Sequence, residues 1–503
     1  MERYCSDWTG AWTGKPLAVV RPANSDEVAA IVKLCNSDRV SVVPQSGMTG
    51  LVGGGVPSKD GKELVLSLER LNKVRSIDPH TGVVVSESGV VLEHLDSKLR
   101  EHGFCAPLDL GSKGSCQIGG NVATNAGGLR FRRFGSLHGT VLGVEVVTGT
   151  GEKLDMLTEL RKDNTGYSLK DLFIGSEGTL GVITAVSIAA PRLAPIRQAA
   201  LLACGTWGSV LRVLRLADER LQGILSAIEF FDAASMEVLL GTDRPYVVHR
   251  MRQEDEIEPA TYDADSAVST SLAPGSPRVA GVRDPLDERF PFYVLVETRG
   301  VRADHDAEVL EAFLSSSLAG GYAETGVFAA SESEANELFA IREGITSALS
   351  ARGPVVKFDL SFGRTKDMYD LVDESRDWLR PMTRSDGVLA CGYGHLGDGN
   401  LHLNVSIPGN VSNPAGADAV REAAKTVVYD RAQAWTVARG GSISAEHGLG
   451  TMKNQLLPAI KPPAVLAAMR SIKQVFDPNN IMNPGRGVLH PCEAFDTDRT
   501  KSF

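Results

Sequence analysis

Three glycine-dense loops in the first 190 residues constrain the fold of this chain more than any other feature. Glycine makes up 52 of its 503 residues, and the excess is local. The loops are Pro44-Gln-Ser-Gly-Met-Thr-Gly-Leu-Val-Gly-Gly-Gly55, the small-residue stretch from Pro107 to Gly128, and Ile174-Gly-Ser-Glu-Gly-Thr-Leu-Gly181. Short regular elements surround them. Val40 to Val43 is a β-branched strand that runs into the first loop. Ser25 caps a helix with Val28, Ile31, Val32 and Cys35 on one stripe, and Val91 to Gly103 reads as a helix with Leu92, Leu95 and Leu99 in phase. Leu142 to Thr148, Gly149-Thr-Gly151 and Lys153 to Met156 read as strand, turn and strand, and Leu180 to Ala189 as a further strand.

Glycines let successive backbone N–H groups converge on one anion. The first loop alone is equally compatible with a structural turn: it lacks the glycine spacing of the dinucleotide fold and the Gly-Lys-Ser/Thr of a P-loop. The second loop adds small residues against which a flat ligand can lie, with Ser115, Thr124 and Asn125 available to its edge. Three such loops in one domain point to a long cofactor with a pyrophosphate and a ring system.

Beyond Pro195 the glycine density falls and longer helices alternate with strands. Helical segments are Trp207 to Leu221, Asp306 to Ser317, Glu332 to Ala351, Lys366 to Leu379 and Ala417 to Arg439. Strands are Phe292 to Thr298, Val355 to Leu360 and Leu401 to Ser406. This is the pattern of an α+β domain. The polar, acidic, Pro/Ser-rich stretch Gln253 to Asp287 reads as a mobile surface insertion, and the tail after Val488 as loosely held.

A net charge of −10 and a pI near 5.6 argue against nucleic acid or an anionic membrane as partner. The chain contains no run of about 18 apolar residues, the length that spans a bilayer. The 7 cysteines are scattered without a CxxC pair, which fits a reducing compartment. The first residues carry neither an apolar signal core nor an Arg/Ser-rich targeting helix.

Chemistry concentrates late in the chain. Cys391-Gly-Tyr-Gly-His-Leu-Gly-Asp-Gly-Asn-Leu-His-Leu-Asn404 and Ser444-Ala-Glu-His-Gly448 gather three imidazoles and a carboxylate in small-residue loops. His395 and His402 offer neutral nitrogens and Glu446 an oxygen. Three protein ligands leave coordination positions open, the pattern of a catalytic metal. Zinc suits this set, and manganese or cobalt also fits. Gly397 and Gly399 permit the chain to turn back between the histidines. His402 and Asn404, two apart on a strand, share a face. His447 is left beside the metal as a general base.

These blocks, with Arg161-Lys-Asp-Asn-Thr-Gly-Tyr167 and Phe173 to Gly181, carry a resemblance. From about Val20 to Asn483 the chain resembles the FAD-dependent dehydrogenases of the vanillyl-alcohol-oxidase type, and within them the D-2-hydroxyglutarate dehydrogenases. The resemblance implies an α+β architecture. A two-lobed FAD-binding domain would span 1–190, and a substrate-binding cap domain with an antiparallel sheet and helices 191–450, with the insertion at about 253–287. A C-terminal segment, 451–490, would return to the FAD domain, and 491–503 would be a tail.

For FAD, the resemblance implies contacts from Pro44, Gln45, Ser46, Gly47, Met48, Thr49, Gly50 and Leu51 in the first loop. The second loop would give Pro107, Leu108, Asp109, Gly114, Ser115, Gly119, Gly120, Asn121, Thr124, Asn125, Gly127 and Gly128, followed by Gly135. Glu177, Gly178, Gly181, Ile183 and Asn483 complete the set. Some relatives tether FAD through a histidine of the first loop. None lies between Pro44 and Pro57 here, so the flavin is expected to be non-covalent. Where relatives read Gly-Gly-Asn-Thr-Gly, this chain has Ser46-Gly47-Met48-Thr49-Gly50, in which Met48 loses a polar side chain and Ser46 is expected to restrict φ.

The implied reaction oxidises D-2-hydroxyglutarate to 2-oxoglutarate, with the C2 hydride passing to flavin N5 and a divalent metal, zinc by preference, held by His395, His402 and Glu446. His447 would be catalytic and also contact substrate, beside Asn404; Arg342, Thr346 and Lys357 would hold the distal carboxylate. D-lactate or another D-2-hydroxy acid is the alternative substrate. Electron-transfer flavoprotein or a quinone would be the acceptor, with mitochondrial residence. A metal-dependent hydrolase is the reading from another class, and it predicts a protein without flavin.

Overall fold

A computed structural model describes residues 2–240, 284–286, 288–329, 331–411, 413 and 415–495. The stretch expected to be a mobile insertion lies almost wholly outside them. The chain divides into two units: residues up to Leu193 together with those from Glu446 onward, and residues Ala194–Ala445.

The first unit holds two sheets. Strands β1 (Ala18–Val20), β2 (Val42–Gln45) and β3 (Leu64–Ser67) form a parallel sheet in the order β1-β3-β2. Strands β4 (Val74–Ile77), β5 (Val83–Glu87), β6 (Val141–Thr148), β7 (Lys153–Asp155) and β8 (Gly181–Ala189) form an antiparallel sheet in the order β4-β5-β8-β6-β7. The helix Ser25–Asp38 buries Val28, Val32 and Cys35 as its periodicity predicts. Its cap is Asn24 and not Ser25: the Asn24 side chain accepts from the Glu27 N–H at 2.8 Å. The geometry is β at Asn24 and helical from Ser25, so only the earlier side chain can reach the orphan N–H.

The C-terminal segment completes this unit. Ile481 and Met482 join the core of the parallel sheet, and Val42 exchanges backbone bonds with Ile481 (2.7 Å) and Asn483 (2.9 Å). Buried Lys473 donates to Asp477 (2.6 Å), Thr179 O (2.8 Å) and Met482 O (2.7 Å), and Asp477 in turn accepts from the N–H groups of Ile481 and Met482. Residues just past Val488 are held and not loose. Leu489 and His490 are buried, and Arg470 donates to the carbonyls of His490 (2.8 Å) and Glu493 (2.7 Å). A few satisfied backbone groups suffice to fix so short a stretch, which hydropathy does not register.

The second unit is one antiparallel sheet with helices. Its strands are β9 (Ile196–Cys204), β10 (Leu225–Asp232), β11 (Phe292–Gly300), β12 (Thr325–Ala329), β13 (Val355–Lys357), β14 (Leu360–Ser361), β15 (Leu389–His395) and β16 (Asn400–Ser406). The order is β12-β9-β11-β10-β15-β16-β13, with β14 also on β16. The run expected as one strand from Val355 to Leu360 is interrupted, yet both pieces keep one register on β16, Lys357 opposite Asn404 and Leu360 opposite Leu401. No described helix is long and apolar enough to cross a membrane.

Candidate active site

In the first unit the glycine loops meet one another. A Cβ at Gly47 would lie 2.3 Å from Ser115 O, so only glycine lets the first loop touch the second. Ser46 Oγ donates to Gln117 Oε1 at 3.0 Å beside Gly120. Ser46 does not carry the strained backbone; Met48 does, at φ 55°. The second loop ends in the helix Ile118–Thr124, capped by left-handed Asn125, whose Oδ1 accepts from Ser136 Oγ at 2.9 Å. Thr124 Oγ1 bonds Gly120 O and Ser115 Oγ bonds Ser112 O, so both hydroxyls serve their own turns first. Asp109 pairs with Arg130 at 2.7 Å and Lys113 at 3.3 Å. Leu108 and Ile183 are core residues, and offer a ligand their backbone only.

The third loop joins the returning segment. Glu177, at φ 53°, accepts from the N–H groups of Leu449 and Gly450, both at 2.7 Å, and burial pushes its carboxyl upward against those two bonds. Asn483 Nδ2 donates to Gly54 O (3.0 Å) and Glu177 O (2.8 Å). The buried acceptors Gln45 Oε1, Asn121 Oδ1 and Asn483 Oδ1 have no hydrogen-bond partner among the described residues. A Cβ at Gly50 or Gly135 would meet nothing within 4 Å. Orphaned buried polar atoms and open glycine backbone in the same unit fit a polar, elongated ligand such as FAD.

In the second unit, sheet register assembles the site. His402 lies in the expected strand and His395 in a strand of its own, and the chain reverses at 396–399, where Gly399 has φ +76° and a Cβ would sit 2.5 Å from Phe362 O. Residues directly opposite in antiparallel strands share a face. His395 faces Asn400 and Glu229, Tyr393 faces His402, and Asn404 faces Lys357. One sheet face therefore carries Glu229, Tyr393, His395, His402, Asn404 and Lys357. Asp359 falls on it too, since the register that pairs Lys357 with Asn404 continues to Leu360 and Leu401.

Each histidine has a buried carboxylate beside it. His395 Nδ1 lies 2.8 Å from Glu229 Oε1, and His402 Nδ1 lies 3.9 Å from Asp359 Oδ1, both acids being 1% exposed. Asn400 Nδ2 also donates to Asp359 at 3.0 Å. The helix Glu332–Arg352 brings Arg342 and Thr346 to this face. Arg342 Nε donates to Glu229 Oε2 at 3.1 Å and its Nη2 lies 3.1 Å from the same oxygen, with the guanidinium 4.7 Å from the centre of the Tyr393 ring. Thr346 Oγ1 lies 2.9 Å from Tyr393 Oη, which burial keeps protonated against the pull of Arg342. Asn404 Nδ2 donates to His402 O at 3.2 Å. Burial also pushes the Cys391 thiol up, which removes it as a nucleophile.

Ser442 bridges Ser361, and the Ala445 N–H reaches Asp359 O at 3.4 Å, so the chain leaving the second unit runs along this face. Glu446 and His447 come next. The ring centres of His395 and His402 lie 5.3 Å apart. Glu446 Oε1 accepts from the Gly128 N–H at 2.8 Å, and a Cβ at Gly127 would come within 3.0 Å of it. Neutral imidazoles with a carboxylate suit a divalent transition metal, and carboxylates behind the imidazoles suit it further. Glu229, Asp359 and Tyr393 were not expected from sequence. Glu229 and Asp359 each interrupt an apolar β run, the signal that singled out Lys357.

The chain matches two family models: "FAD binding domain" over residues 16–156 and "FAD linked oxidases, C-terminal domain" over 194–486. It is 43% identical to the mitochondrial D-2-hydroxyglutarate dehydrogenase of Arabidopsis thaliana, over 97% of this chain and 78% of that protein. It is 44% identical to the mitochondrial D-2-hydroxyglutarate dehydrogenase of Bos taurus, over 95% and 78%. Among solved structures, p-cresol methylhydroxylase with substrate bound shares the fold, with a TM-score of 0.67 at 15% identity over 95% of this chain and 90% of that one.

Proposed function

The chain belongs to the FAD-linked oxidases, and from that premise we propose that it oxidises D-2-hydroxyglutarate to 2-oxoglutarate with non-covalent FAD and a divalent metal. The observation that carries this reading is the pairing of His395 and His402 on one sheet face, ring centres 5.3 Å apart, with a buried carboxylate beside each. The substrate class follows the relatives' names, and so does a mitochondrial location. When bound, FAD supplies the hydride acceptor and a divalent ion supplies Lewis acidity toward the substrate's hydroxyl and carboxylate.

The chain's own residues divide the remaining work. His395, His402 and Glu446 hold the ion, and His447 takes the hydroxyl proton as general base. Asn404 donates to the substrate next to His402. Lys357 and Thr346 meet the distal carboxylate, joined by the guanidinium edge of Arg342 that Glu229 does not occupy. A methyl in place of that carboxylate leaves these groups unpaired, which disfavours D-lactate by several kcal/mol, roughly. The two electrons leave to an external acceptor, an electron-transfer flavoprotein or a quinone.

The test is the absorbance of the purified protein during anaerobic titration with D-2-hydroxyglutarate, D-malate and D-lactate, with metal analysis of the same sample. Flavin bleaching by D-2-hydroxyglutarate at the highest kcat/KM is expected. A colourless protein would sink the flavin reading, and a preference for D-lactate would sink the assignment of Arg342, Thr346 and Lys357. Full turnover in metal-free protein would sink the metal.

A further inference from the structure

We infer that Glu229 is a positioning residue whose two oxygens orient a metal-ligand histidine and a substrate-binding arginine together, so that metal affinity and dicarboxylate recognition share one anchor. Glu229 sits in the apolar run Ser226-Ala-Ile-Glu-Phe-Phe-Asp232 of β10, directly opposite His395 of β15. It is 1% exposed, and a carboxylate is kept there only if both oxygens are satisfied. The division of labour between them is clean. The Arg342 Nε–H donates to Oε2, which Nη2 also approaches to 3.1 Å, and His395 Nδ1 lies 2.8 Å from Oε1.

An ordinary buried ion pair would need the arginine alone. The histidine contact adds a consequence: with a carboxylate oxygen accepting at Nδ1, the ring proton stays there and Nε2 presents its lone pair. The same carboxylate holds Arg342 over the Tyr393 ring, whose hydroxyl lies 2.9 Å from Thr346 Oγ1. Glu229 thus fixes the tautomer on one side and the cation's direction on the other.

This inference rests on the metal reading above, and the test separates the two. Zinc binding to metal-stripped protein is measured by calorimetry for the parent chain, Glu229→Gln and Arg342→Met, with circular dichroism as the check on folding. The parent chain is expected to bind zinc. Glu229→Gln is expected to weaken zinc binding about 10–100-fold and to raise KM for D-2-hydroxyglutarate. Arg342→Met leaves the His395 contact in place, so its zinc affinity should stay within about threefold while KM rises. A folded Glu229→Gln protein that binds zinc within about twofold of the parent would overturn the inference. If Glu229→Gln does not fold because Arg342 is left buried and unpaired, the double variant Glu229→Gln/Arg342→Met takes its place, with the same expected loss and the same overturning result. A parent chain that binds no zinc would instead overturn the metal reading, and this inference with it.

Discussion

The glycine loops of the first unit and the hairpin face of the second are built by opposite means. In the loops, side chains are mostly removed: what remains is backbone, a few small polar groups, and junctions such as Ser46 with Gln117 and Asn483 with Gly54 that hold the loops to each other. On the hairpin face, side chains are collected from positions 229, 342, 346, 357, 359, 395, 402 and 404, and their spacing in sequence means nothing until the strands pair. A backbone-lined site tolerates changes in side-chain chemistry and fails when volume is added. A side-chain site tolerates small shifts of volume and fails when one functional group is lost.

The largest expected effect follows from that contrast. His402→Ala should lower turnover by a thousandfold or more, equivalent to about 4 kcal/mol, while the flavin spectrum of the purified protein is unchanged. Loss of the flavin along with activity would break the separation between the two kinds of site. Next is Lys473→Met, which strips the buried partner from Asp477 behind the returning segment. It should cost about 3–5 kcal/mol in denaturant unfolding, whereas a surface pair such as Arg215 with Glu219 should be almost silent on removal. Gly47→Ala sharpens the volume argument. Its new Cβ would sit 2.3 Å from Ser115 O, and prising the loops apart should cost about 1–3 kcal/mol and release flavin.

Smaller effects probe each unit away from its site. Burial pushes the Asp373 carboxyl up to about 6, against the attraction of Arg376. Its folded form therefore binds a proton more readily than its unfolded form, and stability falls as pH rises through the window from about 4 to about 6. Asp373→Asn should flatten that slope, by roughly 1 kcal/mol at neutral pH once solvent screening is allowed for. An unchanged pH profile of the melting temperature would refute the shift. Met48 occupies φ 55°, where asparagine is tolerated and a long unbranched side chain is not favoured. Met48→Asn should raise stability by about 0.5–1 kcal/mol, read as a small rise in melting temperature, and a fall would mean that Met48 packing outweighs backbone strain.

Much of the regular structure was legible. The helix over Glu332–Arg352 and the hairpin pair Val141–Thr148 with Lys153–Asp155 follow directly from period and turn residues. The strands Ile196–Cys204 and Leu225–Asp232 were missed because they are buried nearly throughout, and a strand buried on both faces shows no alternation. The same burial hid Glu229, whose neighbours are all apolar. Asn24 was passed over as a cap for a neighbour of equal propensity, a choice that one residue of backbone geometry decides.

The amino-acid order alone determined which chemistry is present: glycine where loops approach closely, and imidazoles and a carboxylate in motifs with few competing polar groups. Those are local properties, set by a residue and its immediate neighbours. Only the tertiary structure decided the pairings, with Glu229 opposite His395, Asp359 facing His402, and Arg342 turned by the same carboxylate that holds the histidine. Strand register brings Glu229 against His395 across 166 positions of sequence, and register is a property of the whole sheet that no single segment encodes.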